Sequence, residues 1–77
     1  MYDQIKHLLV SAFHVDVAEV APEASLEDLG LDSLDIVELA WALETELRVR
    51  ITDDELAELQ QVSAIVQLAQ ERAANVV

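Results

Sequence analysis

Apolar residues near the start of the chain recur with the spacing of an amphipathic helix. Between Tyr2 and His14 they occupy positions i, i+3, i+4, i+7 and i+8: Ile5, Leu8, Leu9, Ala12 and Phe13. Side chains with this spacing share one face of an α-helix. The pattern therefore predicts a first helix that buries this face.

A long connection follows, from Val15 to Leu31, and it holds the only proline, Pro22, and the only glycine, Gly30. Its apolar residues predict that it packs against the helices: Val15, Val17, Val20, Leu26 and Leu29. In the segment Ser25–Asp28 two acidic residues follow a serine, which is compatible with one short helical turn.

The second helix is predicted to begin near Asp32 and Ser33 and to end at about Leu47, and it carries two sets of apolar residues. One set has the spacing of a buried face: Ile36, Leu39, Ala40, Leu43 and Leu47. The other set, called here the apolar stripe, consists of Leu34, Val37 and Trp41. It shares its face with polar residues: Glu38, Glu44, Thr45 and Arg48. Because the first set already fills the buried face, we expect the apolar stripe to be exposed.

Two further helices are predicted in the last third of the chain. Thr52 and Glu55 have the Thr-x-x-Glu spacing of a capping box, which opens a short third helix through Leu59. The last helix runs from about Val62 to Ala73 and is expected to bury four residues: Val62, Ile65, Leu68 and Ala69. The alternation in Arg48–Ile51 is too short to predict a strand.

Length and composition fit one small folded domain. A chain of 77 residues buries only about 60% of its unfolded surface, so a large enclosed active site is not expected. The hydrophobic fraction of 53% is too high for a disordered chain. Residues 1–77 are therefore predicted to form a single all-α domain, a small four-helix bundle with a long first loop and a short third helix.

The charge balance limits the partners. Asp and Glu number 16 and Lys and Arg number 4, which gives a formal charge of −12. Such a surface repels nucleic acid and anionic lipid and attracts basic patches on other proteins. No apolar run approaches the ~20 residues of a membrane span. We expect a monomeric, cytoplasmic protein that binds proteins and neither nucleic acid nor membranes.

The segment Gly30–Leu34 lies where the long loop meets the second helix. Ser33 is expected at or beside the helix N-cap, where unpaired main-chain N–H groups and the helix dipole favour negative charge. A phosphodiester on this serine would be well placed. Taken alone, however, Asp-Ser at a helix start is ordinary capping chemistry.

The wider string closely resembles the attachment motif of acyl carrier proteins. It comprises Leu26–Asp35 and Val37–Leu39, and the resemblance continues through Ala42–Glu44 to Asp53–Glu55. It covers essentially the whole chain, in register over all four predicted helices. It implies a four-helix bundle in which a phosphopantetheinyl transferase attaches 4′-phosphopantetheine from coenzyme A to Ser33. The arm would hold acyl groups as thioesters, and the protein would present them to enzymes without being a catalyst itself.

The resemblance also implies a recognition surface on the motif helix. By this resemblance, the residues that would contact partner proteins are Asp32, Leu34, Asp35, Val37, Glu38, Trp41 and Glu44. The residue pattern agrees, because an exposed apolar stripe rimmed by carboxylates is typical of a binding site. The implied partners are the transferase and the acyl-loading, condensing and modifying enzymes that have basic patches.

Two departures from the family pattern bear on the pathway. Arg48 and Arg50 stand where many relatives are acidic, and Trp41 stands where relatives often have a smaller apolar residue. They favour polyketide or other specialised-metabolite biosynthesis over fatty-acid biosynthesis. The alternatives are a peptidyl or aryl carrier, a carrier for alanine transfer to cell-wall polymers, and an acidic helical adaptor without a prosthetic group.

Other constellations do not predict chemistry. His7 and His14 share a helix face, but two histidines are too few to hold a metal. Gly30–Leu34 is not a G-x-S-x-G elbow, so no hydrolase is expected. The acidic loop after Asp28 lacks the oxygen ligands of a calcium site, and the chain has no cysteine. No catalytic residue and no metal site are predicted.

Overall fold

The computed structural model describes residues 1–74. Within these residues the regular secondary structure consists of helices. The bounds of the helices are α1 Tyr2–Phe13, α2 Ser33–Leu47, α3 Asp53–Leu59 and α4 Val62–Ala74, and a short 3-10 helix, Val17–Glu19, lies in the long loop. The predicted all-α four-helix architecture is confirmed, including the short third helix. None of the helices in this part of the chain is long and apolar enough to cross a membrane.

The helix boundaries follow from capping chemistry. At α2 and α3 the N-cap side chain and the third helical residue exchange hydrogen bonds, in the pairs Asp32–Asp35 and Thr52–Glu55. Three helices end at a residue with positive φ: His14 (58°), Arg48 (56°) and Gln60 (61°). Glycine is the usual residue in such terminations because it has no Cβ.

One hydrophobic core joins the helices and the long loop. Most of the predicted buried residues lie in it, together with Leu31, Val49, Ile51, Leu56 and Val66. Burial was predicted wrongly for Ala12 and Val17, which are exposed, and only in part for four residues that are half-buried: Phe13, Ala40, Leu47 and Leu68. Val17 opens the 3-10 turn, and its neighbours Val15 and Val20 reach the core instead. Phe13 and Leu47 are the last residues of their helices, beyond the centre of the packing.

The long loop is fastened to the junction between α3 and α4. Three main-chain hydrogen bonds make this connection: Val62 N to Ala24 O (2.9 Å), Leu26 N to Gln60 O (2.9 Å) and Ser63 N to Pro22 O (2.8 Å). The short turn expected at Ser25–Asp28 forms, since Asp28 N donates to Ser25 Oγ (3.0 Å) and Ser25 N donates to Asp28 Oδ2 (3.3 Å). Leu26, Leu29 and Leu31 are buried, so the segment before α2 has a defined position.

An ion pair ties α4 to α3. The Arg72 guanidinium donates two hydrogen bonds to the Glu55 carboxylate, at 2.7 and 2.5 Å, and a third to Arg50 O at 2.7 Å. The hydrogen bonds from Arg72, assisted by the backbone N–H of Thr52, lower the pKa of Glu55 to about 2. Glu55 therefore caps α3 and holds α4 with the same carboxylate.

Candidate functional site

Ser33 is the first residue of α2, and Asp32 before it is the N-cap. The sequence placed Ser33 at or beside the N-cap, and the structure assigns the cap itself to Asp32. Ser33 is exposed, and within residues 1–74 its hydroxyl has no hydrogen-bond partner. Its Oγ is therefore open to a second molecule.

The capping box leaves unpaired donors beside this hydroxyl. Asp35 N donates to Asp32 Oδ1 at 2.9 Å, Asp32 N donates to Asp35 Oδ2 at 3.2 Å, and Ile36 N donates to Asp32 O at 3.0 Å. The N–H groups of Ser33 and Leu34 have no acceptor in the described part of the chain. These two donors and the helix dipole favour an anionic oxygen at Ser33, so the residues present fit a phosphodiester.

Gly30 shapes the approach to α2. Its φ is +82°, a conformation that L side chains rarely adopt, and a Cβ built there would have no atom within 4 Å. The requirement for glycine is therefore one of backbone conformation and not of space. Leu31 N donates to Leu26 O at 3.1 Å and Gly30 N donates to Glu27 O at 3.0 Å, which closes a tight turn just before Asp32.

The apolar stripe is exposed, as its position on α2 predicted. The exposed fractions are 67% for Leu34, 49% for Val37 and 70% for Trp41. These are three of the four large apolar residues that stand out from the described surface, the fourth being Val17. A single exposed apolar residue needs no explanation, but three on the same face of one helix form a candidate contact surface.

A groove lies beside Trp41, between α1 and α2. It has a volume of about 400 Å³ and is lined by Ala12, Phe13, Glu38, Trp41 and Ala42. Only Glu38 among these carries a charge. The groove offers apolar contact together with one carboxylate, and this combination suits a partner that presents an apolar side chain next to a cation.

The acidic contacts predicted on α2 are spread over its length. Asp32, Glu38 and Glu44 are exposed and Asp35 is half-buried. Glu44 lies about 16 Å along the helix from Ser33 and forms an ion pair with Arg50, with 3.3 Å between Oε1 and Nη2. The structure thus places Asp32 and Asp35 beside Ser33, and Glu38 and Glu44 farther along the same helix.

A basic groove at the far end of α2 was missed by the sequence reasoning. It has a volume of about 500 Å³ and is lined by Glu44, Arg48, Arg50 and Arg72. Arg72 comes from α4, and its contact with Arg50 spans 22 positions in the sequence, so no local pattern indicated it. The only indication of a basic groove in the sequence was that Arg48 and Arg50 are close together in a chain with only 4 Lys and Arg residues.

Comparison with known proteins gives consistent matches. The family model described as the phosphopantetheine attachment site matches residues 3–69. An acyl carrier protein from Solidesulfovibrio magneticus is 37% identical over 71 residues, which cover 91% of each chain. An acyl carrier protein from Helicobacter pylori is 37% identical over 67 residues, which cover 86% of each chain.

The fold has a counterpart among solved structures. The crystal structure of an acyl carrier protein from Thermotoga maritima superposes with a TM-score of 0.80 at 21% sequence identity. The superposition covers 97% of this chain and 88% of the other. At this identity the match shows a shared fold, including the arrangement of four helices and a long first loop.

Proposed function

The chain belongs to the acyl carrier protein family, whose prosthetic group is covalently bound 4′-phosphopantetheine, and we propose that Ser33 is its attachment site. The observation that carries this proposal is the Ser33 hydroxyl at the first position of α2, which is exposed and has no hydrogen-bond partner among residues 1–74. Acyl carrier proteins are carriers and not catalysts, and in this proposal the chain presents its cargo to partner enzymes.

The residues around Ser33 have distinct roles in this proposal. The N–H groups of Ser33 and Leu34 would face the phosphodiester, and Gly30 keeps the preceding turn tight. When bound, the group supplies a flexible arm with a terminal thiol that carries an acyl group as a thioester. No side chain among residues 1–74 accepts a hydrogen bond from Ser33 Oγ, and in this proposal the phosphopantetheinyl transferase supplies the base that removes its proton.

The test is intact-mass measurement after incubation with coenzyme A and a phosphopantetheinyl transferase. The wild-type chain should gain one phosphopantetheine, and Ser33→Ala should gain none while its circular dichroism remains helical. The control is Ser63→Ala, which removes another exposed serine near a helix start and should be modified like the wild type. Labelling of Ser33→Ala would disprove the attachment site. A wild-type chain that is never labelled, in vitro or in its native host, would favour an acidic adaptor without a prosthetic group.

The surface around the apolar stripe is the proposed docking site for partner enzymes. These are the transferase and the acyl-loading, condensing and modifying enzymes that use the loaded chain. Trp41 and its neighbours supply apolar contact, and the exposed carboxylates Asp32 and Glu38 attract basic patches. A formal charge of −12 supports this steering role. In this proposal the chain acts as a monomer in the cytoplasm.

The pathway proposal is narrower. We infer that the chain serves polyketide or other specialised-metabolite biosynthesis rather than fatty-acid biosynthesis. Support comes from Trp41, which is 70% exposed, and from Arg48 and Arg50 at the end of α2. A partner that binds these residues needs a surface of matching shape and charge. Intact-mass analysis of the protein purified from its native host identifies the cargo. A homologous series of saturated straight-chain acyl groups would contradict this inference.

A further inference from the structure

Most of the basic residues of this acidic chain lie at one place. Arg48, Arg50 and Arg72 line the groove of about 500 Å³ at the C-terminal end of α2, and the whole chain has only 4 Lys and Arg. We call these three arginines the basic corner. The remaining cation, Lys6, lies on α1.

Two of the three arginines are available to a partner. Arg72 is held by Glu55 through two hydrogen bonds, so its charge is already matched. Arg50 forms an ion pair with Glu44 at 3.3 Å, but the two side chains are 83% and 52% exposed. Such exposed pairs contribute little to stability, so a partner carboxylate can compete with Glu44 for Arg50. Arg48 is exposed and has no ion pair within residues 1–74.

The charge therefore differs between the two ends of α2. Its N-terminal end presents Asp32, Asp35 and Glu38, whereas Arg48 and Arg50 follow its C-terminal end and offset the charges of Glu44 and Glu46 there. Asp35 and Arg48 are separated by about 20 Å along the helix. Leu34 and Val37 of the apolar stripe lie among the acidic residues of the N-terminal end, and Trp41 lies between them and Arg48. A partner that is basic throughout its contact surface would be attracted at the N-terminal end and would meet the positive charges of Arg48 and Arg50 at the other.

We propose that the basic corner receives a carboxylate from the partner protein that docks on α2, and that this contact fixes the direction in which the partner lies along the helix. The partner surface would have cations facing Asp35 and Glu38 and an acidic side chain about 20 Å away. Arginine suits this role because its planar guanidinium binds carboxylates through two parallel hydrogen bonds.

The charge of the chain favours a protein carboxylate over a free anion. At −12 the protein repels free anions, whereas an acidic side chain on a partner is brought to the corner by the partner's own cations and apolar contacts. The proposal rests on the docking site proposed above and adds an orientation to it. A purely structural explanation also exists, because cations near a helix C-terminus stabilise the helix dipole.

The test uses a designed peptide as the partner. It is a helix of about 18 residues, long enough at ~1.5 Å per residue to span α2, with a leucine face, lysines in one half and glutamates in the other. A nitroxide is attached to a cysteine at either end of the peptide, and the chain has no cysteine to compete for it. Paramagnetic broadening of the amide NMR signals of the chain then reports which peptide end lies near which end of α2.

The label at the glutamate end should broaden the signals of Arg48–Arg50, and the label at the lysine end those of Asp32–Asp35. Arg48→Glu should weaken peptide binding roughly fivefold at low salt and remove the directional preference. Lys6→Glu makes the same change in charge on α1, and it should change binding less than about twofold and keep the direction. Arg48→Gln should weaken the directional preference of the bound peptide without adding a repulsive charge.

Each other result overturns a specific step. Binding of the wild type without a preferred direction, or equal effects of Arg48→Glu and Lys6→Glu, would refute the basic corner as an orienting contact. A lower free energy of unfolding for Arg48→Gln with unchanged peptide direction would assign Arg48 to the helix dipole alone. Absence of peptide binding would refute the docking site on which the proposal rests. Attachment at Ser33 is read separately by mass, so its failure is distinguishable from all of these.

Discussion

Replacing Trp41 with alanine separates a docking role from a structural one. If the side chain anchors partners, the substitution should weaken partner binding strongly and change folding stability little. If Trp41 instead belongs to the core, the order of the two effects should be reversed. The exposed fraction of the side chain sets the expected size of both effects.

A buried tryptophan removes about 250 Å² from water, and Trp41 is 70% exposed. About 175 Å² therefore remains available to a partner. If the partner covers half of it, at about 25 cal/mol/Å² the contact contributes about 2 kcal/mol, a loss of roughly thirtyfold in affinity for Trp41→Ala. The remaining area of about 75 Å² limits the loss in folding stability to about 2 kcal/mol. The higher helix propensity of alanine and its own Cβ reduce this to about 1 kcal/mol.

Two quantities are measured for Trp41→Ala, Val17→Ala and Leu43→Ala. They are the affinity for an enzyme that uses the wild-type chain and the free energy of unfolding in urea. Val17→Ala truncates another exposed apolar residue, which is 55% exposed and belongs to the long loop and not to α2, and should leave affinity unchanged. Leu43→Ala opens a cavity at a fully buried position and should lower the free energy of unfolding by about 2–5 kcal/mol. If Trp41→Ala destabilises as much as Leu43→Ala, or binds the enzyme as Val17→Ala does, the docking role of Trp41 is wrong.

Three further predictions concern charge. Glu38→Lys should slow association with a basic partner enzyme several-fold at low salt and flatten the dependence of the rate on salt, as measured by stopped-flow mixing; a change confined to dissociation would contradict steering. Raising the salt concentration from about 20 to 200 mM should raise the Tm by a few degrees, because it screens the repulsion within Asp32–Glu38 and Asp53–Glu58, and a Tm indifferent to salt would refute this. Because the folded-state pKa of Glu55 is lowered from 4.5 to about 2, its stabilising contribution is fully present above pH 4.5 and lost as the pH falls to about 2. The difference in free energy of unfolding between wild type and Glu55→Gln should therefore shrink over this range, and a constant difference would contradict the ion pair with Arg72.

Local patterns in the sequence were sufficient to predict the helices. The capping box of Thr52 and Glu55 acts over one turn and was recognised without knowing the fold, whereas the reciprocal pair Asp32–Asp35, equally local, was not predicted. The exposure of Trp41 was also predictable, because the buried face of α2 was already filled by other residues. These features depend on spacing within a single helix.

Features that depend on distant residues were not predictable in the same way. The pairing of Glu55 with Arg72 requires α3 and α4 to be packed together first, and so does the groove that Arg72 shares with Arg50. The exposure of Val17 likewise depends on which loop residues reach the core, since Val15, Val17 and Val20 are all apolar. Apolar character alone did not distinguish them, because the path of the loop over the bundle decides which of the three is buried.

The attachment of the long loop to the α3–α4 junction has a consequence for delivery of cargo. With Leu26 N bonded to Gln60 O and Val62 N bonded to Ala24 O, each at 2.9 Å, the segment leading to Ser33 is anchored at its middle as well as by α2. Fluctuations of the loop then add little to the volume that a tethered group can search. The reach of the cargo is centred on a fixed point of the bundle, so a partner enzyme selects its substrate by where it holds the bundle relative to its own active-site entrance.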